Sequence, residues 1–244
     1  MRKVMVFTLV FAFGVPAVAS NENAEAEQIL QRALTAAGGA RNLARLKSPM
    51  MWMERGMFHG MGEGTPFVGQ YAARWPGWYR QEIENAFTIT VSGTSAWVSS
   101  DAGVQKLAGP QLEERLKQVR QSWAERLFPL TEKEYRLSRI DGIQVDGRAT
   151  VAINASHLDQ RDMKIFFDKE TYLIAKTETM VISPQHGPDP VLSEAYYTDH
   201  KSFSGVTMPS KVRLFYNKKL FVEAETIDYK MAATLDPQHF EKPK

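Results

Sequence analysis

The sequence predicts a mainly β protein of the α+β class, with one strongly curved antiparallel sheet and helices on one of its faces. Three observations predict it. Many short segments alternate apolar and polar residues, as half-buried strands do. Most of these segments are joined by short turns, among them Asp146-Gly147, the strongest short hairpin signal. Only two stretches have substantial helical spacing, and nothing resembles an alternation of strand and helix.

The first residues are typical of a secretory signal peptide. Arg2 and Lys3 precede an unbroken apolar run over residues 4–13, and Ala17-Val18-Ala19 has the small-residue pattern of a cleavage site. We expect residues 1–19 to be removed, which leaves residues 20–244 as a single domain. No later stretch approaches the eighteen apolar residues of a membrane span, so we expect the exported protein to be soluble.

Composition limits the cellular compartments and the kinds of partner that are expected. The 244 residues include no cysteine, which excludes disulfides, Cys-zinc sites and thiol nucleophiles. An exported protein without disulfides fits a bacterial periplasm best. Without Arg2 and Lys3, the 30 basic side chains become 28 and equal the 28 acidic ones. Because no basic run remains, nucleic acid is not expected as a partner.

The first predicted helix ends at a pair of glycines. Ile29, Leu30, Ala33 and Leu34 form an apolar stripe at helical spacing. Gly38 and Gly39 then favour the left-handed conformation that closes a helix. One more short turn is expected over residues 40–46 before the strands begin.

The strands follow in a long series interrupted once. We expect about eleven strands among thirteen stretches with strand character, which are residues 50–58, 67–75, 78–84, 86–93, 95–100, 135–140, 143–145, 148–155, 163–167, 172–182, 192–200, 208–216 and 220–230. The interruption is a helix over residues 111–128, with Pro110 in its first turn and Pro129 as its stop. Its apolar stripe comprises Leu112, Leu116, Val119, Trp123 and Leu127.

Catalytic and metal-binding signatures are missing from the sequence. It contains no phosphate loop, nucleophile elbow or HExxH motif. No two of the five histidines have ligand spacing, and Asp199 and His200 would point to opposite faces of a strand. We therefore expect a protein that is not an enzyme and that has no cofactor and no metal site.

Several predicted strands are apolar on both faces, although an antiparallel strand usually keeps one face polar. Such strands are either covered on both sides or exposed to an apolar ligand, and methionine suits an adaptable binding surface. The candidate lining residues are Met51, Trp52, Met53, Met57, Phe58, Trp75, Trp97, Leu116, Trp123, Phe166 and Phe215. The candidate polar residues at the rim are Arg55, Arg74 and Arg80.

Short motifs occur in a characteristic order along most of the chain. They are Ala36-Ala37-Gly38-Gly39, Leu46-Lys47-Ser48, Trp75-Pro76, Tyr79-Arg80-Gln81-Glu82, Gly93 with Trp97, Asp146-Gly147-Arg148, residues 167–173, Tyr197-Thr198-Asp199, Gly205-Val206, Pro209, Leu235-Asp236 and Phe240. This order resembles the bacterial outer-membrane lipoprotein carrier (LolA-like) superfamily, especially its longer lipoprotein-sorting relatives. The resemblance implies an incomplete β-barrel closed by helices, whose concave apolar face holds acyl chains.

The leading hypothesis is a periplasmic carrier of a lipid or of a lipoprotein's acyl chains, possessing no enzymatic activity. The alternative is a periplasmic sensor or scaffold that binds a protein partner, such as an envelope or outer-membrane protein, through the same half-barrel. A hydrolase with an unrecognised site is the third hypothesis. A closed lipocalin-like barrel is the alternative fold, and the helix in mid-sequence counts against it.

Overall fold

One antiparallel sheet holds all the strands of the computed structural model, which describes residues 17–60 and 62–243, with side chains from residue 22 onward. Most of the predicted signal peptide therefore lies outside the described residues. The strands are β1 Met50–Phe58, β2 Thr65–Arg74, β3 Trp78–Ile83, β4 Phe87–Ser92, β5 Ser95–Ser100, β6 Gly103–Lys106, β7 Tyr135–Ile140, β8 Gln144–Val145, β9 Arg148–His157, β10 Met163–Asp168, β11 Ile174–Val181, β12 Val191–Phe203, β13 Val206–Tyr216 and β14 Lys219–Met231.

The sheet does not close into a barrel. Its strand order is β6-β5-β4-β3-β2-β1-β14-β13-β12-β11-β10-β9-β7, and β8 pairs with β9 alone. Strands β1 to β6 form a first meander, in which each strand pairs with the next, and β7 to β14 form a second. The two meanders are joined in the middle of the sheet, where β14 pairs with β1. Within the described ranges, β6 and β7 are edges. This confirms the predicted curved, incomplete barrel.

The helices are α1 Ala17–Ala36, α2 Ala40–Leu43 and α3 Gly109–Ala124, and four short 3-10 segments are Ala44–Lys47, Phe128–Thr131, Pro184–His186 and Pro237–Phe240. We call the face of the sheet that α1 and α3 cover the inner face. Strand pairing places Ile153, Ile165, Thr177 and Ala195 in one row across it. The helices α1 and α3 pack on this face and bury its core, as expected for helices over the concave side.

The glycine pair ends α1 as predicted. Gly38 and Gly39 have φ angles of 112° and 85°, and the Gly39 N–H donates to the carbonyl oxygen of Leu34 at 2.8 Å. The N–H of Thr207, on β13, donates to the carbonyl oxygen of Ala37 at 2.9 Å. The end of α1 is therefore joined to the turn between β12 and β13, because Gly38 has no side chain to keep the backbones apart.

Two details of the prediction were wrong. The second helix ends at Ala124 rather than at residue 128, because Leu127 takes a φ of 66° two residues before Pro129. The chain then continues as the short 3-10 segment Phe128–Thr131. The described residues contain fourteen strands rather than about eleven. β6 escaped prediction because Val104 is its only apolar residue.

We expect Gly38→Ala to destabilise the fold more than Gly39→Ala. Both residues have positive φ, which costs a residue with a β-carbon about 1–2 kcal/mol. A β-carbon on Gly38 would also overlap the carbonyl oxygen of Gly205, whereas one on Gly39 would meet nothing. The predicted losses are about 3 kcal/mol for Gly38→Ala and about 1 kcal/mol for Gly39→Ala. Urea unfolding measures both, and equal losses would contradict the close approach.

Candidate functional site

Aromatic side chains line the centre of the inner face. The rings of Trp52 and Tyr71 stack at 5.0 Å between centroids, and those of Trp75 and Trp123 stack at 5.8 Å. Tyr79 lies 6.0 Å from Trp75 and 6.3 Å from Trp52. Trp123 belongs to α3 and the other four belong to the sheet or its turns. The helix therefore packs on a layer of aromatic rings from Trp52, Tyr71, Trp75 and Tyr79, which we call the aromatic floor. Trp75 and Trp123 are part of the core.

A buried carboxylate fixes the first half of α3. Glu114 accepts two hydrogen bonds from Arg161, at 2.6 and 2.9 Å, and one from the Ile182 N–H at 3.0 Å. Burial alone would raise the pKa of Glu114, but these hydrogen bonds outweigh it and hold the pKa below its usual value. Arg161 lies in the β9–β10 turn and Ile182 follows β11. The contact therefore ties the helix to two connections of the second meander.

A polar cluster lies where α3 ends, and consists of Glu54, Tyr71, Glu125, Arg126 and Tyr197. The Arg126 guanidinium lies 5.4 Å from the centroid of the Trp52 ring and 5.2 Å from that of Trp75. Burial raises the pKa of Glu54 and of Glu125, and the positive charge of Arg126 offsets part of this rise at both. Arg126 thus has two carboxyl groups as its electrostatic partners.

Beyond α3, the inner face carries apolar side chains that are only partly buried. We call this set the open patch; its members are Phe58, Phe67, Ile83, Val212, Leu214 and Val222. Strand pairing makes it continuous, because Phe58 pairs with Val222, and Val222 pairs with Leu214. The open patch is separate from the main hydrophobic core. Two small residues, Gly56 and Ala224, pair at its centre, and the ring of Phe67 packs close above Gly56.

Arg115 follows Glu114 on α3 and is partly buried. No hydrogen bond or ion pair joins it to another described residue. Burial lowers the pKa of Arg115, whereas Tyr79, Tyr216 and the carboxylate of Glu114 act in the opposite direction.

The structure divides the predicted lining residues between the two faces. Five are on the inner side or on α3: Trp52, Phe58, Trp75, Leu116 and Trp123. Six lie on the opposite, outer face: Met51, Met53, Met57, Trp97, Phe166 and Phe215. The division follows from strand alternation, because residues one apart point to opposite faces. Ligand binding by any of them stays a prediction.

The three predicted rim arginines also lie on the outer face. Arg55 donates to Glu225 at 3.0 Å, Arg80 donates to Glu82 at 2.7 Å, and Arg74 lies 4.1 Å from the ring of Trp78. The arginines that reach the inner side are Arg115 and Arg126. Sequence reasoning missed both because it considered only the apolar stripe of the second helix. Of the charged residues of that helix, Arg115 is partly buried, whereas Glu113 and Arg120 are exposed.

In the second meander, one predicted strand with two apolar faces is β10, and both of its faces are covered. Phe167 of β10 is fully buried on the inner face, and Phe166 is buried on the outer face beneath Lys176. Lys176 is held by Glu178 at 2.7 Å and by Glu194 at 2.6 Å. The outer face of β1 differs, since Met51 is 38% exposed and Met57 lines a groove of about 720 Å³.

The outer groove crosses β13, β14, β1 and β2 and is lined by charges of both signs, including Arg55, Lys211, Glu223 and Glu225. Most of these groups already have partners: Lys211 lies 2.6 Å from Asp199, and Glu223 lies 3.3 Å from His59. Within residues 17–60 and 62–243, no three His, Asp or Glu side chains are placed to hold a metal ion. No helix of that part of the chain is both long and apolar enough to cross a membrane.

Comparison with solved structures confirms the resemblance at the level of fold. A LolA superfamily protein from Nitrosomonas europaea has a TM-score of 0.58 at 10% identity, covering 89% of this chain and 97% of that one. An outer membrane lipoprotein-sorting protein domain named in a structure from Vibrio parahaemolyticus has a TM-score of 0.58 at 11% identity, over 90% and 97%. A DUF1329 family protein from Desulfovibrio piger has a TM-score of 0.57 at 11% identity, over 88% and 97%. The chain matches no protein-family description and no curated relative.

The contact between Glu114 and Arg161 predicts a large effect of a small substitution. Glu114→Gln keeps the shape but removes the charge that Arg161 contacts, so we expect a loss of about 2 kcal/mol in the free energy of unfolding. Glu113→Gln is the matched control, because Glu113 is exposed on the same helix. Chemical denaturation measures both. Equal stability of the two variants would show that the contact does not hold α3.

The lowered pKa of Glu114 predicts a pH dependence. The unfolded chain takes up its proton near pH 4.3, while the folded chain does so only at lower pH. Stability from this group is therefore complete above about pH 4.3 and is lost as the pH falls through the folded pKa. The stability difference between the parent and Glu114→Gln should shrink between pH 5 and pH 3. A difference that stays constant over that range would exclude ionised Glu114 as its source.

Proposed function

We propose that the protein is a periplasmic carrier that binds the acyl part of a lipid or lipoprotein on its inner face, without catalysing a reaction. The observation that carries the proposal is the open patch. Apolar side chains that form a continuous, partly exposed surface are typical of surfaces that bind apolar ligands. The patch lies beside a helix that already covers the rest of the same face.

The mechanism follows from the packing. Each methylene of an acyl chain that leaves water for the open patch contributes about 0.8 kcal/mol. Phe67 on β2 and Val212 on β13 are three strand spacings apart, roughly 14 Å, so an extended chain can cross the sheet between them. Leu112 and Leu116 of α3 are partly buried against the core of the same face. Release requires the acyl chain to exchange this surface for another apolar one.

The likeness of fold supports this proposal. One solved structure with the same fold is a domain named for outer membrane lipoprotein sorting. The signal-peptide pattern of residues 1–19 supports a periplasmic location for this chain. The neutral charge of the exported chain and the absence of a basic run favour an apolar ligand over a polyanionic one.

The test is binding of a neutral acyl probe to a pair of matched valine variants. Val222→Asn places an amide in the open patch, and we expect it to weaken the binding of a pyrene-labelled fatty acid methyl ester about tenfold, since burying a valine contributes about 1.5 kcal/mol. Val68→Asn is the control, because Val68 is also partly buried but lines the outer groove. Its affinity should stay within about twofold of the parent value.

Native mass spectrometry of protein prepared from a periplasm without detergent gives the ligand directly. A bound lipid or acylated peptide supports the carrier. A parent protein that neither retains a lipid nor binds the probe would overturn the proposal. A stoichiometric envelope protein in place of lipid would favour the sensor or scaffold.

A further inference from the structure

A methionine and a histidine meet at the end of β1, on the outer face of the sheet. Met57 and His59 are two residues apart, so their side chains lie on the same side of the extended chain. A β-carbon placed on Gly64 would lie 3.0 Å from Cε of Met57 and 3.0 Å from Nδ1 of His59. These two atoms are therefore no more than twice that distance apart, and Gly64 has no side chain to fill the space beside them.

The imidazole of His59 is held from its other side. Its Nε2 lies 3.3 Å from Oε2 of Glu223, the residue that pairs with Met57 between β1 and β14. The His59 backbone N–H donates to the carbonyl oxygen of Phe221 at 2.8 Å. When Nε2 carries the proton and donates to Glu223, Nδ1 keeps its lone pair. No described residue is hydrogen-bonded to Nδ1, so this nitrogen is available to a ligand beside Met57.

Histidines that bind metal ions in proteins have this arrangement. Such an imidazole binds the ion through one nitrogen and donates its other N–H to a carboxylate, a carbonyl group or water. A neighbouring thioether selects the kind of ion, because soft sulfur ligands favour Cu(I). The chain contains no cysteine, so thioethers are its only sulfur ligands. Met57 and His59 thus combine the two ligand types that suit copper.

We infer that Met57 and His59 bind one Cu(I) ion on the outer face, through Sδ and Nδ1. The ion can enter through the outer groove, which Met57 and Glu223 line, and the His59 side chain is 25% exposed. The open patch lies on the other face, so this inference does not depend on acyl binding. Histidine spacing in the sequence does not reveal such a site, because one of its ligands is a thioether.

The experiment is a titration of Cu(I), without oxygen, in competition with the coloured chelator bicinchoninate. Met57→Leu keeps an apolar side chain of similar size but removes the sulfur, and we expect it to bind Cu(I) at least tenfold more weakly than the parent does. His59→Gln removes the imidazole and should lose at least as much. Gly64→Ala should also weaken binding, because its methyl group would fill the space beside both ligands.

Met53→Leu is the matched control, because Met53 is also partly buried on the outer face of β1 but lies four residues before Met57. It should bind Cu(I) as the parent does. Thermal unfolding of each variant without metal checks that the fold is kept. Zn(II) forms a second arm, since zinc is bound by imidazole but does not favour thioether ligands. The parent and Met57→Leu should therefore have the same affinity for Zn(II).

Three results would overturn the copper site. The first is a parent protein that binds Cu(I) no more tightly than Met57→Leu or His59→Gln. The second is an equal loss in Met53→Leu, which would assign binding to methionines in general. The third is an equal loss of Zn(II) and Cu(I) affinity in Met57→Leu, which would make the effect of the thioether structural. None of them bears on acyl binding by the inner face.

Discussion

The hydrogen bonds from Arg161 and the Ile182 N–H to Glu114 fix the position of α3 on the inner face of the sheet. A helix placed on a curved sheet covers only part of it, and these contacts fix which part α3 covers. The aromatic floor around Trp75 and Trp123 becomes core on one side of the helix. The open patch remains uncovered on the other. A single buried carboxylate thus helps to separate the surface that stabilises the protein from the surface for which we propose acyl binding.

Much of the fold could be predicted from the sequence, because it depends on local signals. The glycine pair after α1, the bounds of β1 and the Asp146-Gly147 turn each need only neighbouring residues. The early end of α3 was missed because Leu127 adopts a left-handed conformation that leucine rarely takes. β6 was missed because Val104 is its only apolar residue, so the hairpin that it forms with β5 has no alternating pattern on that side.

The candidate site was harder to predict, because it depends on which face of each strand turns inward. Alternation separates Trp52 from Met51 and Met53, yet it does not say which set is enclosed. The packing of α1 and α3 on one face of the sheet settles this in the structure. The helix posed the opposite difficulty. Arg115 belongs to the polar side of α3, and a polar side normally faces water. Arg115 is nevertheless partly buried.

The two unpaired edges of the sheet have a mechanical consequence. In a closed barrel the interior width is fixed by the backbone ladder, and widening it breaks hydrogen bonds. Here β6 and β7 are not joined, while α1 packs on β7 and β9, and α3 contacts β5. The distance between the two edges of the sheet therefore depends on the side chains of α1 and α3 and not on backbone hydrogen bonds between β6 and β7. Natural variation in helix residues can resize the interior while every strand register is kept.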